Sequence, residues 1–173
     1  MTHNPPDVTL VPCTREHLTQ LLGWIDSAAL NLQWAGPTFD YPLTLEQLTR
    51  HLAQPAVRGF ALLQAGRMVG YGELVLCGAG EYRLCRILIG PDWRGQGLGR
   101  CLVQSLMTLA CRTLEARCLT LAVFSHNRAA LACYQGLGFE PYAEEPAACE
   151  LAGESWDLLR LAWTPASEQA AAQ

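Results

Sequence analysis

The run "ILIGPDWRGQGLGRCLVQSLMTLACRTL", residues 87–114, constrains this chain more than any other stretch. An apolar strand closed by Pro91 passes through a glycine-rich turn directly into a helix from about Gly97 to Leu114. The stripe Leu98, Cys101, Leu102, Ser105, Leu106 and Leu109 on that helix must be buried, and the strand before it supplies a sheet to cover. Gly95, Gly97 and Gly99 alternate through the turn, with Arg94 and Arg100 on either side. Arginine is favoured at the negative C-terminal end of a helix and mildly disfavoured at its start. An anion between the two arginines resolves the conflict, because glycines let backbone N–H groups converge and the helix dipole adds positive potential. The alternative is a purely steric turn with solvated arginines.

The rest of the chain supplies the remaining layers. Val8 to Val11 reads as a short strand, and Thr14 opens a helix with Leu18, Leu21, Leu22 and Ile25 on one face. "LQWAGPTFDYPLT" reads as a loop because Pro37 and Pro42 forbid a long helix. Thr44 then caps a second helix to about Ala53, with Gln47 as its capping-box partner. "GFALLQ", the turn "AGR" and "MVGYGELVLC" form a hairpin, and "EYRLCRILIG" is the next strand. "CLTLAVF" is apolar at nearly every position and belongs at the centre of a sheet. A helix capped at Asn127 and stopped by Gly136 and Gly138 follows, then a strand near "FEPYA" and a last strand, "SWDLLRLAW". The order β, α, α, β, β, β, α, β, α, β, β predicts a mixed α/β (α+β) sheet with helices on both sides. Residues 1–164 read as one domain and 165–173 as a frayed tail.

Composition narrows the function classes. A net charge of −4 gives no reason to expect a nucleic-acid partner, since such binders usually carry a basic patch, and it weakly fits a cationic acceptor such as an amine. The eight cysteines include no C-x-x-C pair, which argues against a zinc ribbon or a redox motif, and no metal is expected. The N-terminal residues lack a charged segment followed by an apolar run, and no apolar stretch approaches the ~20 residues that span a bilayer. The expected setting is the cytoplasm, with reduced thiols and no membrane partner.

Two phosphate-binding motifs fail at the glycine turn. A P-loop ends in Gly-Lys-Ser/Thr, and the chain contains no lysine. The dinucleotide fingerprint is G-x-G-x-x-G, whereas this turn is G-x-G-x-G. The segment instead resembles the acyl-CoA signature of the GNAT N-acetyltransferase superfamily, Arg/Gln-x-x-Gly-x-Gly/Ala, matched by Arg94, Gly97 and Gly99. A second block, "LTLAVFSHNRAALACYQGLGFEPY", is similar to the later family core at Asn127, Ala130, Tyr134, Gly138 and Phe139. The resemblance runs from about residue 60 to 142.

The resemblance implies a GNAT fold: a mostly antiparallel sheet of 6–7 strands, splayed at its centre and flanked by about four helices. It implies acetyl-CoA as cosubstrate, with Leu88 and Ile89 bonding pantetheine through backbone groups. Arg94, Gly95, Gln96, Gly97, Leu98, Gly99 and Arg100 would wrap the diphosphate, and Asn127 and Ala130 would flank the arm. Tyr134 is then the general acid that protonates the leaving thiolate; the alternative is a core tyrosine satisfied by backbone. Cys133 beside it points about 100° away on a helix and cannot share that role. For a base, Glu81 and Glu73 are the candidates, alongside water or loss of the acceptor's own proton. Many relatives carry a glutamate where this chain has Arg83, so a strand-borne base is in doubt. Arg83 and Arg86, three apart on a strand, face opposite sides; one meets an acceptor carboxylate or enters a cross-strand ion pair. Trp34, Phe39, Asp40 and Tyr41 either wall the acceptor or pack as a lid. The implied activity is transfer of acetyl to a primary amine of a small molecule or a peptide N-terminus. The alternative is a sensing module that binds coenzyme A without turnover. A monomer or a homodimer is expected, with "SWDLLRLAW" a candidate dimer strand.

Overall fold

The structure is a computed structural model that describes residues 7–166. Its strands are β1 (Val8–Pro12), β2 (Val57–Gln64), β3 (Arg67–Gly78), β4 (Glu81–Ile89), β5 (Cys118–Phe124), β6 (Glu140–Leu151) and β7 (Glu154–Trp163). Its helices are α1 (Arg15–Trp24), α2 (Ala28–Ala35), α3 (Leu45–Leu52), α4 (Leu98–Thr113) and α5 (Arg128–Gly136). One sheet runs in the order β1-β2-β3-β4-β5-β7-β6, antiparallel at every step except β4–β5.

That parallel step positions the site. β4 and β5 pair only from Glu81–Leu84 against Cys118–Leu121. Beyond Leu84 the strands part, while β4 stays paired to β3 through Leu88 and Ile89. A bulge accompanies the parting. Glu73 pairs with Cys85 and Tyr71 with Leu88, so Gly72 alone opposes Arg86 and Ile87, and Arg86 adopts φ 52°. Bulges bend and twist the strand that carries them, and this one turns β4 away from β5. The central splay therefore matches the expectation.

Alternation along the strands divides the core into two layers. Phe60 and Leu62 join Leu98, Leu102, Leu106, Leu119 and Phe139 on the α4 side. Ala61 joins Leu18, Leu21, Trp34, Leu48 and Tyr71 on the α1–α3 side. Gly90, where β4 ends, is squeezed by α1: a Cβ there would lie 2.7 Å from Trp24 Cζ2 and 3.2 Å from Trp93 Cδ1. Gly90→Ala is expected to cost about 1–3 kcal/mol through overpacking, read as a lower melting temperature.

Four readings of the sequence need correction. Part of the expected loop is helical: Ser27 Oγ accepts from the Leu30 N–H and starts α2, which runs to Ala35 and gives five α-helices. It ends at Gly36 in the left-handed region, one residue before Pro37. Thr44 Oγ1 does accept from the Gln47 N–H, but the Gln47 amide bonds Asp40 and Pro42 instead of closing a capping box. The strand near "FEPYA" is far longer, because all of β6 pairs with β7 as a hairpin. β7 is consequently interior, between β5 and β6, and the edge strands are β1 and β6. Most of the expected frayed tail lies outside the described residues. Among the described residues, no helix is long and apolar enough to cross a membrane.

Candidate active site

The parted strands open a cavity of about 600 Å³, within the usual range for a small-ligand site. One end is the glycine turn, where Arg94, Gly95, Gly97, Leu98 and Gly99 lie on the wall. Gly95 and Gly97 hold φ of 73° and 77°, a region that disfavours side chains. Gly97 is the N-cap of the 16-residue α4 and gives it no side-chain cap. The first N–H groups of that helix therefore await an external acceptor, and the residues fit a diphosphate. Arg94 donates through Nε to the Ile89 carbonyl at 3.2 Å. Gln96 and Arg100 stand outside the lining; Gln96 donates to the Asp92 carbonyl, and Arg100 donates to the Gly136 carbonyl at 3.3 Å.

Leu88, Ile89, Asn127, Ala130 and Tyr134 all line the cavity. Asn127 caps α5 by accepting from the Ala130 N–H through Oδ1 at 3.4 Å. Tyr134 is buried and packs edge-on against Phe139 with centroids 6.2 Å apart. Its hydroxyl has no hydrogen-bond partner among the described residues, unlike the satisfied core tyrosine that was the alternative. Burial pushes its pKa well above the tyrosine range. Cys133 also lines the cavity, with its thiol raised by burial rather than activated.

The two candidate bases lie off the wall. Glu81 begins β4 on an exposed position beside Gly78. Glu73 is fully buried, with three partners: Oε2 accepts from Arg86 Nε at 2.7 Å and lies 2.9 Å from His51 Nε2, and Oε1 accepts from the Tyr71 hydroxyl at 2.8 Å. Arg86 is thus the cross-strand ion pair. Its bulged backbone also accepts the Trp34 indole N–H at 2.8 Å, which ties α2 to the cavity wall. Of the aromatic loop only Trp34 lines the cavity. Phe39 stacks on Trp34 at 5.8 Å and meets the His51 ring edge-on at 5.1 Å, so it packs as part of the lid.

Sequence reasoning missed the wall contributed by the last hairpin. Glu145, Cys149, Leu158 and Arg160 line it, and among the described residues Glu145 is the only acid in the lining. Its hydrogen bond from Arg160 Nε holds its carboxyl below the usual range, which weakens it as a base. The acid-rich run before Leu151 was the available signal, but no local pattern places it opposite β4.

The thiols give a chemical check on burial. Desolvation pushes Cys85 up to about 11 and Cys13 up to about 12, whereas Cys77 is exposed. Only the thiolate alkylates, and roughly a thousandth of Cys85 is thiolate at pH 8, so its alkylation is slowed accordingly. Iodoacetamide followed by peptide mapping is expected to mark Cys77 well before Cys13 or Cys85.

Comparison with known proteins meets this geometry. The family model described as "Acetyltransferase (GNAT) family" matches residues 26–139. The chain belongs to the GNAT family. It is 39% identical over 85 residues to the ribosomal protein bS18-alanine N-acetyltransferase of Escherichia coli, covering 46% of this chain and 53% of that one. It is 31% identical over 104 residues to the N-alpha-acetyltransferase RimI of Mycobacterium tuberculosis, covering 58% and 63%. The matches thus span between half and two thirds of those relatives. The fold of this GNAT chain is similar to the spermidine N-acetyltransferase of Vibrio cholerae in complex with CoA and spermine. That structure aligns with a TM-score of 0.80 at 20% identity, over 91% of this chain and 95% of the other.

Proposed function

We propose that this GNAT chain moves the acetyl group of acetyl-CoA to a primary amine, on a small molecule or a peptide N-terminus, by direct attack in a ternary complex. Residues 1–164 would act as one acetyltransferase domain. The observation that carries the reading is the unpartnered Tyr134 hydroxyl on a cavity that begins at an uncapped glycine-rich helix N-terminus. Relatives named for acetylating a ribosomal-protein alanine and a structural neighbour named for spermidine support an amine acceptor.

Acetyl-CoA, when bound, supplies the thioester carbonyl that the amine attacks. Gly95, Gly97 and Gly99 let the backbone approach its diphosphate. Leu88 and Ile89, on the side of β4 that β5 has left, offer backbone groups to an extended arm as a further strand would. Tyr134 donates its proton to the departing sulfur. Among the described residues no carboxylate is well placed to take the ammonium proton: Glu73 is saturated and off the wall, Glu81 is off it too, and Glu145 is held by Arg160. The acceptor accordingly sheds its proton to water before attack. The rise of kcat/KM with pH should then follow the acceptor: an amine of lower pKa should shift the rising limb to lower pH by the same interval. A limb that stays fixed across acceptors would point to a protein base.

That same want of a base favours the second reading, a sensing module that binds coenzyme A without turnover. A free-thiol release assay with acetyl-CoA across an amine panel separates the two. Release stimulated by an amine supports the enzyme; tight binding of acetyl-CoA without stimulated release from any amine supports the module.

A further inference from the structure

The acceptor half of the cavity carries one uncompensated cation. Arg83, Arg86, Arg94 and Arg160 line the cavity, against Glu145 alone. Arg94 belongs to the glycine turn. Arg86 is paired with Glu73, and Arg160 with Glu145. Arg83 makes no ion pair or hydrogen bond among the described residues, although it is near enough to help lower the Glu145 carboxyl. Arg83 is half-buried on the cavity wall, and its guanidinium offers five donors to a group bound beside it.

Its position suits the acceptor and not the cosubstrate. Alternation along β4 puts Arg83 on the same side as Cys85, about 7 Å along the strand. Cys85 in turn lies close enough to Tyr134 to perturb its hydroxyl. Ile89, where the glycine turn begins, is six residues further on, roughly 20 Å at ordinary strand rise. Arg83 therefore stands within reach of a group attached to the reacting amine, and far from the diphosphate. Ala122 and Arg160 on the neighbouring strands complete a small floor beside it.

We infer that Arg83 reads an anionic group on the acceptor, and that the preferred acceptor is a primary amine bearing a nearby carboxylate. The carboxylate comes either from a free amino acid or from an acidic side chain close to a peptide N-terminus. Arg binds such a group through two parallel N–H···O bonds, whereas a polycationic acceptor would meet an unbalanced like charge. The inference rests on the proposed acetyl transfer.

The test is thiol release with acetyl-CoA on matched acceptors. Glutamate and aspartate are compared with their amides, and tetrapeptides carrying Asp or Glu at the second position with their Asn or Gln counterparts; spermidine is a third arm. For the parent protein, kcat/KM on the acid form should exceed that on the amide form by about tenfold or more, in the range of a hydrogen bond to a charged group. Preference within the amino-acid pair or the peptide pair identifies the source. Arg83→Gln should collapse the ratio to below about twofold, mainly through KM, and Arg83→Lys should restore part of it. Coenzyme A affinity by calorimetry reports whether each variant is folded. Equal rates on acid and amide with the parent protein, a preference for spermidine, or a ratio that survives Arg83→Gln overturns the inference and leaves acetyl transfer standing. Failure of every acceptor to stimulate release overturns both.

Discussion

Tyr134→Phe is expected to lower kcat by about 100-fold, within the range that general acid catalysis contributes. The ring should stay in place against Phe139, so the affinity for acetyl-CoA should change little and the loss should fall on the chemical step. Direct attack expels a thiolate, which is a poor leaving group in a desolvated cavity until it is protonated. The hydroxyl is fitted to that task because burial raises its pKa, and the sign of the shift matters. A raised value keeps the proton on the oxygen as pH climbs, so Tyr134 should not produce a falling limb at moderately alkaline pH. Thiol release measured from neutral pH upward checks both points. A loss of less than threefold, or a decline in rate below pH 9 that Tyr134→Phe abolishes, would remove Tyr134 from this role.

Glu73→Gln should unfold the protein more readily while saying little about proton transfer. The substitution leaves Arg86 and His51 buried without their shared anion, and breaking such a cluster costs about 3–5 kcal/mol. For a chain of this length that corresponds to a fall of roughly 10 °C in melting temperature. The damage would spread to the cavity, because Arg86 also holds α2 through Trp34 and donates to the Thr38 hydroxyl. Thermal melting beside steady-state rates separates the possibilities. A base would show an unchanged melting temperature with a large loss of kcat. A structural anion would show the reverse at low temperature, where the remaining folded fraction still turns over.

The two roles of the acidic candidates illustrate how far the residues could be read alone. Glu73 was chosen for its place on a strand beside Gly72, and that strand is where it lies. Its burial depends on α3, which brings His51 from 22 residues away, and on the β4 bulge that swings Arg86 inward. Neither contact has any signature in local periodicity. The same bulge interrupts the alternation that underlay the reading of Arg83 and Arg86 as opposite-facing neighbours. Helix α2 escaped notice for a different reason: the conspicuous Pro37 marks where it stops, and nothing as strong marks Ser27, where it starts.

What the amino-acid order alone determined were features that depend on near neighbours. The glycine turn, the long stripe of α4, the Ala65–Gly66 hairpin and the cap at Asn127 all follow from spacing, dihedral preference and hydrogen bonds within a few residues. Those features were enough to single out the glycine turn and Tyr134, which line one cavity. The tertiary structure decided everything that needed distant segments to meet. It set where β4 and β5 part, which arginines are neutralised, and that the β6–β7 hairpin walls the cavity with Glu145 and Arg160. A charge in a cavity takes its meaning from the charges around it. Those neighbours come from strands far apart in sequence, so the lack of an ion pair at Arg83 among the described residues emerges only once the sheet has assembled.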